Sequence, residues 1–382
     1  MGERQIIISS NRKSTPFLND LKKTYSCVLH KFSEIPNTGV DFFIAQIHFG
    51  KLRKIFASCR TNSEKKKSLY NDLKSSVVCP NKLFIWDRSN EGVVKSEDFD
   101  WFEMIKETLI EYFNIPQTKI IFLSMNGEDH LHSNIKYYNY SWGKYLEQKI
   151  SKLNYTKKRQ KKFLFLGGTP RWNKMVLLLF LYESNLLSKA LWSCSDMLSK
   201  KQSLESQSKK KELARNQYAR LINSGVIDLL PKVLDVDPTD KSKTESSIVS
   251  EFYEKTYFSV IAETDFTHGE VIRYTEKVYK NFFVKHPFVL VGSAHTLKLL
   301  QTDGFKTFHP FIDESYDDIS DPNKRMEAVV KEIERLCDLG KNEWSALLAN
   351  IEPILIHNKK IAEESPMIKT NIDKILKLGE PQ

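Results

Sequence analysis

Cysteine is scarce and scattered: five residues in 382, at Cys27, Cys59, Cys79, Cys194 and Cys337, none in a CxxC pair. That spacing excludes a zinc knuckle or a dense disulfide framework and reads as reduced, buried thiols in a cytosolic protein. Long apolar runs are missing too. The longest, Met175–Tyr182, falls far short of the roughly 20 residues that a spanning helix needs. The opening Met1-Gly-Glu-Arg-Gln is charged ahead of a short Ile6–Ile8 run, which lacks the pattern of a signal peptide. The expectation is a chain without a membrane span, placed in the cytoplasm. Also lacking are a Walker loop, a GxGxxG turn, and the signatures of RRM, KH, helix-turn-helix or zinc-binding nucleic-acid modules.

What is present suffices for large cores: 41% hydrophobic and 12% aromatic residues, in a chain long enough for two α/β domains. The net charge is +10. A basic balance suits a polyanion, whether nucleic acid, a nucleotide diphosphate or an anionic surface; a Lys-rich solubilising surface gives the same number.

The stretch Tyr257–Pro310 organises the reading. Phe258–Ala262 is short, apolar and β-branched, as a buried strand of a parallel sheet should be. After a polar loop, Thr275 is placed to cap a helix that runs to Val284, with Glu276 in its first turn. Phe288–Val291 is a second strand, Thr296–Thr302 a helix, and Lys306–Phe308 a third strand. This β–α–β–α–β order predicts a doubly wound domain, with ligands beyond the carboxyl ends of the strands, where Glu263 and the Tyr274–Lys277 junction fall.

Upstream, Ile6–Ile8, Cys27–Leu29, Phe42–Ile47, Lys82–Trp86 and Lys119–Leu123 read as strands, and Asp98–Phe113 as an amphipathic helix. Asp87 and Glu91 fall in the loop after the Lys82–Trp86 strand. The aromatic run Tyr137–Tyr145 suits either a stacking surface or packing. The basic run Thr156–Lys162 reads as an interdomain hinge. Phe163–Leu166 is a strand, and Gly167-Gly-Thr-Pro-Arg171 is a glycine turn opening a helix at Met175. With Arg171 and Lys174 beside it, that turn makes a phosphate cradle. Leu229–Leu234 reads as a strand, with Asp235-Val-Asp237 after it. A plain loop accounts for that D-x-D better than a metal ligand pair does. The acidic cluster Asp313–Asp318 either meets an acceptor or caps the helix that follows. Lys324–Leu336 and Trp344–Ile356 are helical.

The ordered set of Glu263-Thr264 at a strand end, Tyr274-Thr-Glu-Lys277 at a helix start, a second strand and Gly292 resembles the donor signature of the α1,3-fucosyltransferase family. There an F-E-N strand end precedes an I-T-E-K helix. The longer run T-E-K…H-P-F-V-L-V-G…G-F-K-T-F…I-D-E-S-Y-D is more closely similar to uncharacterised proteins of phages and large viruses regarded as glycosyltransferases. The resemblance spans Tyr257–Arg335 and thins out towards the N-terminus. It implies an α/β, GT-B-like enzyme with two Rossmann-like domains facing a cleft, in the host cytosol if the source is viral. Expected domains are 1–155 on the acceptor side, 163–340 for the nucleotide sugar, and 341–382 as helices crossing back onto the first.

The implied reaction moves a sugar from a GDP- or UDP-linked donor to a glycan or other hydroxyl acceptor. It needs no cofactor beyond that substrate and no metal. Arg171, Lys174 and Lys277 would meet the diphosphate, Glu276 the ribose, Tyr274 the donor and Glu263 the sugar. Lys174 stands where that family usually has arginine, keeping the charge without the bidentate fork. The base that takes the acceptor proton is expected from the first domain, Glu91 or Asp87, which would invert the anomeric centre. A basic nucleic-acid-binding protein, or an inactive binding module of the same fold class, remains the alternative.

Overall fold

The structure is a computed structural model. It describes six strands within residues 6–139 by their backbone, and residues 159–168, 171–195, 212–234, 248–266 and 272–364. One compact unit contains Met1–Trp142; the other is Gly143–Glu364.

The first unit carries a six-stranded parallel sheet: β1 (Ile6–Ser10), β2 (Cys27–His30), β3 (Phe42–His48), β4 (Lys82–Arg88), β5 (Ile120–Ser124) and β6 (Lys136–Asn139), in the order β2-β1-β3-β4-β5-β6. The expected strands are there, and β4 runs two residues past Trp86. Asp87 therefore sits inside the strand, level with His48 of β3 and Leu123 of β5, instead of in the loop expected to hold it. The ladder of its neighbours continues through it, since extended backbone between two partners gains a hydrogen bond at each step. Lys136–Asn139, from the aromatic run, is the edge strand paired to β5. Glu91 and the helix expected at 98–113 lie outside the described residues, as do Asp235, Asp237 and 365–382.

The second unit is built on four parallel strands, β7 (Phe163–Leu166), β8 (Ala190–Ser193), β9 (Phe258–Ala262) and β10 (Phe288–Val291), in the order β10-β9-β7-β8. Every residue of β9 and β10 is buried, which is why these strands read as unbroken apolar runs. The helices are α1 (Trp172–Glu183), α2 (Glu212–Asn223), α3 (Ser250–Glu254), α4 (Glu276–Phe283), α5 (Thr296–Thr302), α6 (Pro322–Asp338) and α7 (Lys341–Glu364). Among the described residues, no helix is long and apolar enough to cross a membrane.

The core joins both ends of this unit. Trp344 at the start of α7 stacks on Phe258 with ring centroids 5.4 Å apart and gives its indole N–H to the Leu336 carbonyl. Lys341–Glu364 thus packs within the second unit. The basic run also joins it: the Gln160 and Lys161 amides bond to the Lys255 carbonyl, and the Lys162 ammonium to the Leu339 carbonyl.

Three local expectations give way. Lys306–Phe308 forms no strand. The buried Asn358 of α7 takes the Lys306 amide on its carbonyl and donates its amide to the Lys306 oxygen, at 2.8 and 2.7 Å, while Glu314 takes the Phe308 amide. Side chains here supply what a neighbouring strand would have supplied. Leu229–Leu234 is likewise no strand: Val226–Leu229 is a 3-10 turn, and only Lys232 bridges back, to Cys194. Pro231 has no amide hydrogen to give a ladder. The acidic cluster caps backward. Asp317 accepts from the amides of Leu297 and Lys298 at the start of α5, and Asp321 caps α6.

Candidate functional site

In the β10-β9-β7-β8 sheet the chain goes from β7 to one side and then returns to the other, so the order reverses between β7 and β9. Beyond the carboxyl ends of two strands that diverge in this way, the connections splay apart and leave a crevice. Two helices start there. α1 follows β7 through Gly167-Gly168, and α4 follows β9 through the loop that ends at Thr275.

Gly167 is required by contact. Its amide donates to the Ser193 carbonyl at 2.7 Å, and a Cβ on it would lie 2.8 Å from that oxygen. Gly168, at φ +52°, turns the chain in a conformation that side chains disfavour. Helix α1 begins at Trp172, earlier than the expected Met175, so Arg171 is its N-cap residue and Lys174 lies in the first turn. The consequence is burial. Lys174 is only 5% exposed and donates to the Gly167 carbonyl at 2.6 Å. Burial, together with the nearby Lys277 and Arg171 charges, lowers its pKa to about 8. Arg171 remains exposed at the mouth.

Across the crevice, Glu263 directly follows β9. Its amide continues the ladder to the Val291 carbonyl, and its side chain is 1% exposed. The carboxylate takes the Thr275 amide at 2.7 Å, the Thr275 hydroxyl at 2.7 Å and the Lys277 ammonium at 3.1 Å. Asn173 of α1 holds the Glu263 carbonyl from the other side, at 2.8 Å. Thr275 is the N-cap residue of α4 as expected, but its hydroxyl turns to Glu263 and makes no cap bond to the helix. Lys277 also reaches Glu276, at 3.3 Å. Burial works against the Lys277 charge, but Glu263 and Glu276 outweigh it and hold its pKa above the ordinary lysine value. Burial likewise pulls Glu276 upward, and Lys277, its own backbone amide, Lys280 and Thr275 bring it below the ordinary carboxylate value.

A cavity of about 310 Å³ opens on this arrangement. Arg171, Lys174, Glu276 and Lys277 line it, so four of the expected donor residues are brought together. Two are not. Glu263 lies behind the wall with both carboxylate oxygens engaged, which makes it the brace of Thr275 and Lys277 and leaves no oxygen for a sugar. Tyr274 turns into the core, 2% exposed, with its hydroxyl donated to Asp303 at 2.6 Å and its ring against Tyr279 and Phe305. The alternation of an extended segment explains the inward turn: Thr275 points to Glu263, so its neighbour points the other way, into the core.

Sequence reading missed Lys232, Lys280, Asn281, Phe252 and Tyr253, which also line the cavity. Lys280 and Asn281 carried a signal, since they fall three and four residues after Lys277 on one helical face. The others carried none, coming from segments distant in sequence. With five cations and one carboxylate among its charged lining residues, the cavity suits an anion. Among the described residues, no group of three or more His, Cys, Asp or Glu is placed to hold a metal ion.

No family model and no curated protein sequence matches the chain. The solved structures similar in backbone include the following two. One is a glycosyltransferase from Rickettsia africae ESF-5, at 9% identity and a TM-score of 0.42 over 100% of both chains. The other is an α1,3-fucosyltransferase, at 12% identity and a TM-score of 0.38, covering 97% of this chain and 89% of that one. Both scores are too low to carry the functional argument, which rests on the site itself.

Proposed function

We propose that the chain is a GT-B-like glycosyltransferase that takes a sugar from a nucleoside diphosphate and passes it to a hydroxyl acceptor. The observation that carries the reading is the convergence of Arg171, Lys174 and Lys277 on one cavity at the strand-order reversal, beside the starts of α1 and α4. A diphosphate there meets fixed cations and two helix N-termini. The sequence resemblance through Thr275-Glu276-Lys277 supplies the sugar-transfer chemistry.

In this reading the bond between the anomeric carbon and the diphosphate oxygen breaks, and the departing diphosphate keeps the electron pair. Lys277, Lys174 and Arg171 stabilise the charge as it develops, which lowers the barrier more than it lowers the ground state. Glu276 is assigned to the ribose hydroxyls. The acceptor oxygen forms the new bond to the anomeric carbon, and its proton goes to a carboxylate of the first unit, Glu91 or Asp87. Direct attack inverts the centre. Because side-chain cations meet the leaving charge, the reaction is assigned no metal, and GDP- or UDP-linked sugars are the donors to try. The cytosol, host cytosol for a viral source, suits the free thiols Cys194 and Cys337.

The test is a thermal-shift panel of GDP, UDP, DNA and RNA, followed by transfer assays across GDP- and UDP-sugars. Stabilisation by a nucleoside diphosphate and turnover with one of its sugars are expected. Stabilisation by nucleic acid alone would replace this reading with the binding-protein alternative, and no response to any of the four would remove it.

A further inference from the structure

Asn281 lies one turn beyond Lys277 on α4, about 6 Å further along the helix axis, and lines the same cavity. It is 3% exposed. One N–H of its Nδ2 donates to the Lys277 carbonyl at 2.8 Å, which ties the amide to the helix. Its Oδ1 is buried and has no partner. A buried acceptor without a donor is costly and uncommon, so it calls for an explanation wherever a fold keeps one. Here the explanation is in the wall. Its Oδ1 is an acceptor in a cavity whose charged lining is mostly cationic. Phe252 and Tyr253 of α3 and Leu164 of β7 give that cavity apolar and aromatic surface. Cations, an uncharged acceptor and aromatic rings on one cavity match the two halves of a nucleotide: the diphosphate, then a ring bearing N–H or O–H groups.

We infer that Asn281 is a specificity residue of the donor site, its Oδ1 accepting a hydrogen bond from the nucleoside half of a nucleoside diphosphate. This rests on the proposed reading of the cavity. Because the acceptor was desolvated when the protein folded, the bond gained on binding is not offset by a lost water. A ligand lacking a donor at that point leaves Oδ1 unpaired and is rejected.

Calorimetric titration of the full chain and of Asn281→Leu, with UDP, GDP and inorganic pyrophosphate, tests the inference. The variant should lose about tenfold in affinity for at least one nucleotide while pyrophosphate stays within about twofold, the size expected of one hydrogen bond. On the unaltered protein, 3-methyl-UDP, 2′-deoxy-UDP and 3′-deoxy-UDP, with 1-methyl-GDP and the deoxy-GDPs, distinguish a ring N–H from a ribose hydroxyl. These ligand-side titrations decide the matter even if the variant does not fold. Equal weakening of nucleotides and pyrophosphate in the variant would make Asn281 a brace for α4 and overturn the inference. So would a wild-type protein that tolerates every altered ligand. Pyrophosphate binding with no gain from a nucleoside sinks the inference and leaves the cationic site standing; no pyrophosphate binding sinks the reading beneath it.

Discussion

The ammonium of Lys277 lies 3.1 Å from the carboxylate of Glu263, a residue fourteen positions earlier and 1% exposed, while Lys277 itself keeps 24% of its side-chain surface. One member is therefore anchored in the sheet and the other presented at the cavity. Thr275 bonds to both, which locks the end of β9 to the start of α4. The pair is best understood as a mounting that holds a cation in a fixed place, since preorganised charge acts on a transition state without reorganising.

Glu263→Gln keeps the shape and removes the charge. Lys277 and the Thr275 amide then lose their charged acceptor, and stability should fall by about 1–3 kcal/mol in urea unfolding. Nucleotide affinity should fall with it. An unchanged midpoint together with unchanged affinity would show that the pair holds nothing.

Lys277→Ala should lower turnover about 30- to 1000-fold, the range for a lost cation facing developing charge. Stability should fall as well, because the buried Glu263 carboxylate loses its partner. Lys277→Arg should restore stability more than it restores turnover. Turnover within threefold of the parent for the alanine variant would remove Lys277 from the reaction.

Lys174 predicts a pH dependence. Its pKa in the folded chain is lowered to about 8 from an ordinary 10.5, so between those values the unfolded chain binds more protons. Its contribution to stability accordingly rises with pH across that window, because the folded state sheds an unfavourable buried charge. Anion binding has the opposite sign: a bound diphosphate favours the charged amine, so affinity should fall above about pH 8 and binding near that pH should take up protons. Calorimetry in buffers of different ionisation enthalpy measures the uptake, and Lys174→Met should abolish it.

Tyr274→Phe separates core from cavity. The lost hydroxyl leaves the buried Asp303, whose pKa burial raises to about 6, without its donor. A stability loss of about 1–2 kcal/mol is expected, with nucleotide affinity unchanged. Weaker nucleotide binding at full stability would return Tyr274 to the cavity wall.

The acceptor base is tested by Glu91→Gln and Asp87→Asn. One of them should bind the nucleotide sugar normally and transfer about 10²–10⁴-fold more slowly, as for lost general-base catalysis. Full transfer by both would place the base elsewhere. Chelators should leave transfer intact, and loss restored by Mn²⁺ would call for a metal-assisted route.

Sequence alone determined the elements whose causes are local. Phe258–Ala262 and Phe288–Val291 read as strands because a parallel sheet buried on both faces demands unbroken apolar runs. The glycine turn before α1 and Thr275 before α4 were legible because positive φ and extended cap geometry select residue types directly. Tertiary structure decided everything that depends on a partner far along the chain. Thr275 could have capped its own helix, but Glu263, twelve residues away, took its hydroxyl. Lys306 lies in no strand because Asn358, fifty-two residues on, offers both halves of an amide. Lys174 is buried and Tyr274 turned inward for the same reason: a polar group goes where its hydrogen bonds can be completed, and only the folded chain brings those partners within reach.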